Sequence, residues 1–430
     1  MSFRGWIERL RTSGRLLEAK KTLSTHIEAA AFIKALEPTP LFFHVNESRI
    51  PIAANLCASR ELISEYFDLR PDQIVSRLLA AIENPTKPEL TEDAPCFEVS
   101  ERAVDLDEIP ILMHAEKDGG KYVSSAVVIA AHPGIGQNVS FHRLMQISRD
   151  DFVIRIVPRH LHAILEKTHG DLPMAICIGN SPSVLLAGAC SVELGRDELE
   201  IANTLEPLRV AECPGANCLV PAETEFVLVG KITSALRDEG PFIDLTETYD
   251  LVRPQRVVKV ERIYHRENAI YHALLPGGLE HKMLMGVPRE PTIYREVSKV
   301  CECLDVLITP AGASWLHAIV KIRKRSEEDG KRAIEAAFRG HRSLKHVIVV
   351  DDDIDINTPA EVEWAFATRF QGDRGLVVKS GEVGSSLDPS ADPETRKTTK
   401  VGFDATKPLV SRGKNFEKAR FPEIDWRKFI

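Results

Sequence analysis

Between residues 110 and 295 the chain breaks into many short apolar runs separated by brief helical patterns, and this constrains its fold more than any other feature. Strand-length runs fall at 124–131 (SSAVVIAA), 152–157 (FVIRIV), 174–179 (MAICIG), 218–230, 257–264 and 270–275. Only short helices are predicted between them, at 161–168, 197–206 and 230–237. A stretch this rich in short strands must bury them against one another, which predicts a barrel-like or sandwich domain.

The flanks follow other periods. Residues 2–34 read as two helices, one carrying Trp6, Ile7 and Leu10, the next Ile27, Ala31 and Phe32. A strand at Phe42–Val45 and helices at 58–67 and 72–84 follow, the last with Ile74, Leu78, Leu79 and Ile82 on one face. After 300, strands at 304–309, 317–323, 346–350 and 374–378 alternate with helices at 327–339 and 359–369, the pattern of a small α/β domain. Residues 380–415, rich in Gly, Ser, Pro and Lys, are expected to wrap as an ordered loop. The resulting division is an N-terminal α/β segment 1–105, a strand-rich domain 106–298, a C-terminal α/β domain 299–415 and a tail helix 416–430.

A length of 430 residues allows a sizeable core, and a formal charge of -8 gives no general footprint for nucleic acid. The eight cysteines lack the spacing of a zinc site and read as free thiols of a reducing compartment. The N-terminus has no apolar signal core, and no apolar run approaches the length of a membrane span. A cytoplasmic protein without membrane contact is expected. No GxGxxG opens a βαβ unit, and GxxxxGK[ST], HExxH and GxSxG are absent.

Chemistry concentrates in 136–167. A polar knot of Asn138, Ser140, His142 and Arg143 precedes the run FVIRIV and the triplet Pro158–Arg159–His160. Element ends of this kind are where functional groups are commonly presented. Glu198 opens the helix DELEIANTL, where a first-turn carboxylate also suits the helix dipole. Asn138, His160 and Glu198 offer ligands suited to a divalent ion of the magnesium or manganese type, although their meeting does not follow from spacing. In 236–244, Gly240–Pro241 forms a rigid turn between Glu239 and Asp244. Two carboxylates brought together can raise one pKa and create a proton donor, with Arg143 holding the other ionised; an ordinary acidic turn is the alternative. His272, His281 and Arg289 surround a Pro–Gly–Gly turn and either grip a carboxylate or form a rim without chemical role. The run Asp351–Asp353 with Asp355 reads as a solvated strand end before it reads as a metal site.

The motifs GKYVSSAVVIA, NVSFHR, PRH, DELEIA, LVPAETEFVLVG, EGPFID, HRENAIYHALLPGG, GSSLDPSADP and KVGFDATKP occur in that order. In them the chain resembles the UbiD-type decarboxylases, the family dependent on prenylated FMN. The resemblance implies an α+β multidomain fold whose centre is a flavin-reductase-like split β-barrel, with a C-terminal α/β oligomerisation domain and assembly into dimers or hexamers. It implies that Asn138, His160 and Glu198 bind a divalent ion, usually Mn2+, on the cofactor phosphate, with K+ nearby. Val139, Ser140, Phe141, His142 and Arg159 would line the flavin, and Lys400 is a further candidate contact. Glu239, Arg143 and Asp244 fall on the family's carboxylate–arginine–carboxylate set, with Asp244 as proton donor in a position often occupied by Glu. A flavin prenyltransferase would supply the cofactor. His281 and Arg289, eight apart, resemble the members that decarboxylate furan and pyrrole acids. They imply 2,5-furandicarboxylate as the substrate and 2-furoate with CO2 as products, ahead of pyrrole-2-carboxylate, a quinone-pathway 4-hydroxybenzoate or an inactive flavin-binding scaffold.

Overall fold

The computed structural model describes residues 1–430 apart from Arg102, Ser411, Arg412, Lys414, Glu417, Arg420, Glu423 and Ile430. Its centre is one large sheet built from β1 (Tyr122–Val123), β2 (Val127–His132), β3 (Gly136–Phe141), β4 (Leu144–Gln146), β5 (Asp151–Ile154), β6 (Leu172–Ile178), β7 (Phe226–Glu239) and β8 (Arg253–His265). The strand order is β1-β4-β5-β8-β7-β6-β2-β3, with Val99–Ser100 pairing on β8. The inner strands read as unbroken apolar runs because both faces are buried. Val128 and Ala130 of β2, Met174 and Ile176 of β6 and Leu228 of β7 enter one core. Their neighbours Val127, Ile129, Ala175, Cys177, Val227 and Val229 enter a second core on the opposite face.

This sheet is open, which corrects the expected barrel: β1 and β3 end the strand order and do not pair with each other. The outer edge of β3 is satisfied by side chains instead of a strand. Glu198 Oε2 accepts from Val139 N at 2.8 Å, and Gln137 Oε1 accepts from Leu219 N at 2.7 Å. A covered edge of this kind needs no ring closure. The helix expected at 230–237 is also corrected. Those residues continue β7, where the ladder to β8 resumes at Leu236 after a register shift.

The N-terminal segment contains helices Phe3–Thr12, Glu28–Ala35, Arg60–Tyr66 and Ile74–Glu83. Its small sheet is completed by Tyr271–His272, which pairs in parallel with Ile52–Ala54, so the first 105 residues and the central domain share a sheet. Two helices not expected from the sequence, Leu279–Gly286 and Glu290–Ser298, lead into the C-terminal domain. There the buried Glu290 carboxylate takes Arg60 Nη1 at 2.8 Å and Ile308 N at 3.0 Å, joining all three parts of the chain.

The C-terminal sheet comprises β9 (Glu302–Ile308), β10 (His317–Arg323), β11 (His346–Val350), β12 (Leu376–Val383) and β13 (Lys397–Asp404), ordered β9-β10-β11-β13-β12. Helices Asp329–Gly340 and Pro359–Arg369 agree with the expected positions to within two residues. The stretch expected to be loop supplies β13, which lies between β11 and β12. Asp351 and Asp353 pair with Arg369 at 2.8 Å each, which accounts for the acidic run without a metal. The expected tail helix falls partly outside the described residues; its described part contains a single 3-10 turn at Trp426–Lys428. All eight cysteines are free thiols. Among the described residues no helix is long and apolar enough to cross a membrane.

Candidate active site

The polar knot read from the sequence is the β3 edge strand and the turn after it. Asn138 and Ser140 lie on β3, and the alternation of the strand sends Val139 into the core between them. Opposite stands helix Glu198–Leu205, capped by Asp197, whose carboxylate accepts from Leu199 N at 2.9 Å. Leu199, Ile201, Ala202 and Leu205 anchor this helix in the core, which fixes Glu198 against β3. Asn138 Nδ2 donates to Glu198 Oε1 at 3.2 Å, and Ser140 Oγ donates to Asn138 Oδ1 at 3.0 Å. Burial pushes the Glu198 carboxyl up to about 8. A buried carboxyl without a cationic partner is a ready ligand for a metal ion, whose charge would hold it ionised.

Asn138, Ser140, His160 and Glu198 line one cavity of about 640 Å³. Its walls also include Gly188, Ala189 and Cys190, and Met285, Arg289, Trp315 and His341. His160 opens helix His160–Lys167, and burial followed by the neighbouring Arg159 charge lowers its pKa, keeping the imidazole a neutral donor. His142 bonds through Nδ1 to Arg155 O at 2.9 Å and through Nε2 to Ser140 Oγ at 3.1 Å, and burial pushes it down to about 4. Among the described residues no three His, Cys, Asp or Glu side chains form a metal-holding group.

A second cavity of about 270 Å³ shares Phe141, His142, Val157, Arg159, Met285, Trp315 and Ser343 with the first. At its floor lies the acidic turn. Gly240 sits at φ +104°, a conformation open to glycine, and reverses the chain so that Glu239 and Asp244 face one guanidinium. Arg143 Nε and Nη2 hold the two Glu239 oxygens at 2.8 and 2.9 Å, and Nη1 holds Asp244 Oδ2 at 2.7 Å. Tyr122 donates to Glu239 Oε1 at 3.1 Å, and the Arg143 guanidinium lies 4.5 Å from the Phe242 ring centroid. Burial opposes the Arg143 charge, but the Glu239 bonds outweigh it and raise its pKa.

Asp250 was not anticipated. It completes the cluster by accepting from Arg143 Nη2 at 2.8 Å and from both terminal nitrogens of Arg253. Burial opposes its ionisation, yet Arg253 and Arg143 keep its pKa below the usual value. The signal lay in the hairpin that pairs Phe242 with Asp250 across a polar turn.

His281 and Arg289 line different cavities. His281 lines the second cavity, with Nδ1 accepting from Gly277 N at 3.0 Å; burial lowers its pKa against the pull of Asp244. Arg289 lines the first cavity, 5.2 Å from the Trp315 ring centroid, and its buried Nε lacks an acceptor. Burial, then the nearby Arg159 charge, brings its pKa to about 10. Lys400 lines neither cavity; its ammonium is held by the carbonyl of Arg342 beside Phe338. The C-terminal domain supplies further lining residues that sequence reasoning missed: Arg339, His341 and Arg342 in the first cavity, and Ser385, Ser386 and Arg396 in the second. The two cavities are strongly cationic. Arg159, Arg289, Arg295, Arg339 and Arg342 face Glu198 and Glu296 in one, and Arg143, Arg155, Arg159 and Arg396 face Asp244 in the other.

Three family models match this chain. They are the 3-octaprenyl-4-hydroxybenzoate carboxy-lyase N-terminal domain over residues 7–82, Rift-related domain over 89–279 and C-terminal domain over 282–405. An anhydromevalonate phosphate decarboxylase of Methanothermobacter thermautotrophicus is 44% identical over 408 residues, covering 93% of this chain and 95% of its own. That of Methanosarcina mazei is 41% identical over 430 residues, covering 98% and 100%. Among solved structures, the UbiD-class enzyme HmfF of Pelotomaculum thermopropionicum in complex with FMN superimposes with a TM-score of 0.96 at 35% identity, over 100% of both chains. An evolved dimeric form of HmfF in complex with prFMN gives 0.92 at 34%, again over 100% of both chains. The archaeal enzymes share more of the sequence than HmfF does. This overturns the expected placement with the furandicarboxylate decarboxylases, and with it 2,5-furandicarboxylate as substrate.

Proposed function

This chain belongs to the UbiD family of prenylated-FMN-dependent carboxy-lyases, and from that premise we propose that it decarboxylates anhydromevalonate phosphate. The compound is a dehydrated mevalonate phosphate, so it carries a carboxylate on an unsaturated carbon at one end and a phosphate at the other. The observation that carries the reading is the arginine-rich lining of the joined cavities in a chain of net charge -8. Such a lining suits a cofactor phosphate together with a substrate bearing two anionic groups.

In this reading Asn138, His160 and Glu198 would hold a divalent ion of the Mn2+ type, K+ would be a second ion of the site, and residues 139–142 with Arg159 would border the flavin. The donor set fits: one amide oxygen, one neutral imidazole and one buried carboxyl line a single cavity. When bound, prenylated FMN supplies the electron sink that lets an sp2 carbon lose CO2. Arg143, held by Glu239 and Asp250, orients the carboxylate and keeps Asp244 in place. The bond to the carboxylate breaks, CO2 leaves, and the vacated carbon takes a proton from Asp244, which solvent then replaces. His281, neutral beside Asp244, borders the same floor. The reading includes cofactor loading by a flavin prenyltransferase and homo-oligomerisation. The edge strand β12, with Leu376, Val378 and Val383 exposed, favours the latter.

The test is CO2 release by enzyme loaded with prenylated FMN, comparing anhydromevalonate phosphate with 2,5-furandicarboxylate and gallate. Turnover of the phosphorylated acid at least ~100-fold above both is expected, since charged recognition elements discriminate strongly. Preference for either aromatic acid defeats the reading.

A further inference from the structure

We propose that Arg396 and the hydroxyls of Ser385 and Ser386, on the C-terminal domain, form the subsite that grips the phosphate end of the substrate. This rests on the reading above, because it assigns the second end of a two-ended acid.

The smaller cavity has two chemically distinct sets of lining residues. One set is Arg143, Asp244 and His281; the other is the loop Gly384–Leu387 and Arg396, from the C-terminal domain. Arg396 makes no ion pair with any carboxylate among the described residues, although it borders a cavity lined by arginines. Its backbone sits at φ +57°, a left-handed conformation unfavourable for a residue with a long side chain. Two backbone bonds hold it there: Arg396 N donates to Asp392 O at 2.8 Å, and Gly384 N donates to Arg396 O at 2.9 Å. The second bond ties Arg396 to the serine loop. Conformations of this kind persist where surrounding contacts over-determine them, and they gather at ligand clamps.

Ser385 is equally set. Its oxygen accepts from Trp315 Nε1 at 3.0 Å and from Leu387 N at 3.1 Å. Both lone pairs are thereby engaged, and the hydroxyl hydrogen is left to donate to a ligand. The Arg396 guanidinium fork and a donating hydroxyl match the charge and the three acceptor oxygens of a phosphomonoester.

The test uses the prenylated-FMN holoenzyme and Arg396→Met, an exposed position where loss of folding is not at issue. Specificity constants are measured for anhydromevalonate phosphate and its dephosphorylated acid. The expected result is a collapse of the preference for the phosphorylated acid by about 10- to 100-fold, the scale of one charge-assisted contact, with flavin content unchanged. An unchanged preference, or loss of flavin from the variant, overturns the assignment. A second measurement separates it from the substrate reading: the melting temperature of each holoenzyme with and without n-propyl phosphate. Stabilisation of the parent protein but not of Arg396→Met supports the subsite even if anhydromevalonate phosphate is not turned over. No stabilisation of the parent, or equal stabilisation of both, overturns it.

Discussion

Arg143→Lys isolates geometry from charge at the centre of the site. Arg143 makes four charge-assisted bonds, two to Glu239, one to Asp244 and one to Asp250, between 2.7 and 2.9 Å. A lysine keeps the unit charge but loses the planar fork, so it can reach Glu239 through one bond and one other carboxylate at best. Two bonds are lost, each worth about 1.5–3 kcal/mol. The remainder is cushioned, because Asp250 keeps Arg253 and Glu239 keeps Tyr122. A net loss of about 3 kcal/mol follows, and if it falls on the reacting geometry kcat/KM drops ~100-fold, at about 1.4 kcal/mol per tenfold. CO2 release normalised to flavin content reads the rate, and thermal melting reads the stability. A variant within about threefold of the parent, with equal flavin content, would refute the reasoning, since charge alone would then suffice.

Two further outcomes are expected. Asp244→Asn keeps the size and hydrogen-bonding reach of the acid but removes its proton, so turnover should fall by about 10²–10⁴ with flavin content unchanged, whereas Asp244→Glu should retain measurable decarboxylation; an active Asn variant would point to another donor. His114 is buried with Nδ1 unpaired, 4.0 Å from Asp118, and burial drives its pKa down to about 3. The imidazole is neutral in the fold but binds a proton near pH 6.5 once unfolded, so its contribution is complete above that pH and is lost as pH falls towards 3, by up to about 1.4 kcal/mol per unit. His114→Phe should flatten the acid limb of stability measured by chemical denaturation between pH 4 and 7, and an unaltered slope would contradict the assignment.

What the sequence disclosed depended on how local the determinants were. The helix of Glu198 was readable because its apolar stripe and capping Asp197 are contiguous. The C-terminal alternation was readable for the same reason, down to the helix Pro359–Arg369. The run at 230–237 misled because Ile232, Ala235 and Leu236 mimic a helical stripe, while the pairing that makes it a strand comes from Pro254–Lys259, some twenty residues on. Barrel closure was inferred from strand number, but the β3 edge is capped by Glu198 and Gln137, which no count of strands reveals. The spacing of His281 and Arg289 carried the furan assignment. Trp315, from another domain, engages Arg289 in one cavity while His281 lines the other, an arrangement that sequence spacing does not reveal. Asp250, Ser385 and Arg396 escaped notice because their significance arises only when the hairpin and the serine loop fold against residues far away in the chain.

The join at Glu290 gives the first hundred residues a part in chemistry to which they contribute no lining atom. Neither cavity contains a side chain from that segment, yet Arg60 neutralises the carboxylate adjacent in sequence to Arg289. Deleting the segment would strand a negative charge in an apolar interior one residue from the cavity wall, and that helix could no longer stand where it does. The leading portion of the chain is therefore a buttress, whose Arg60 supports the turn from which Arg289 builds the cavity wall.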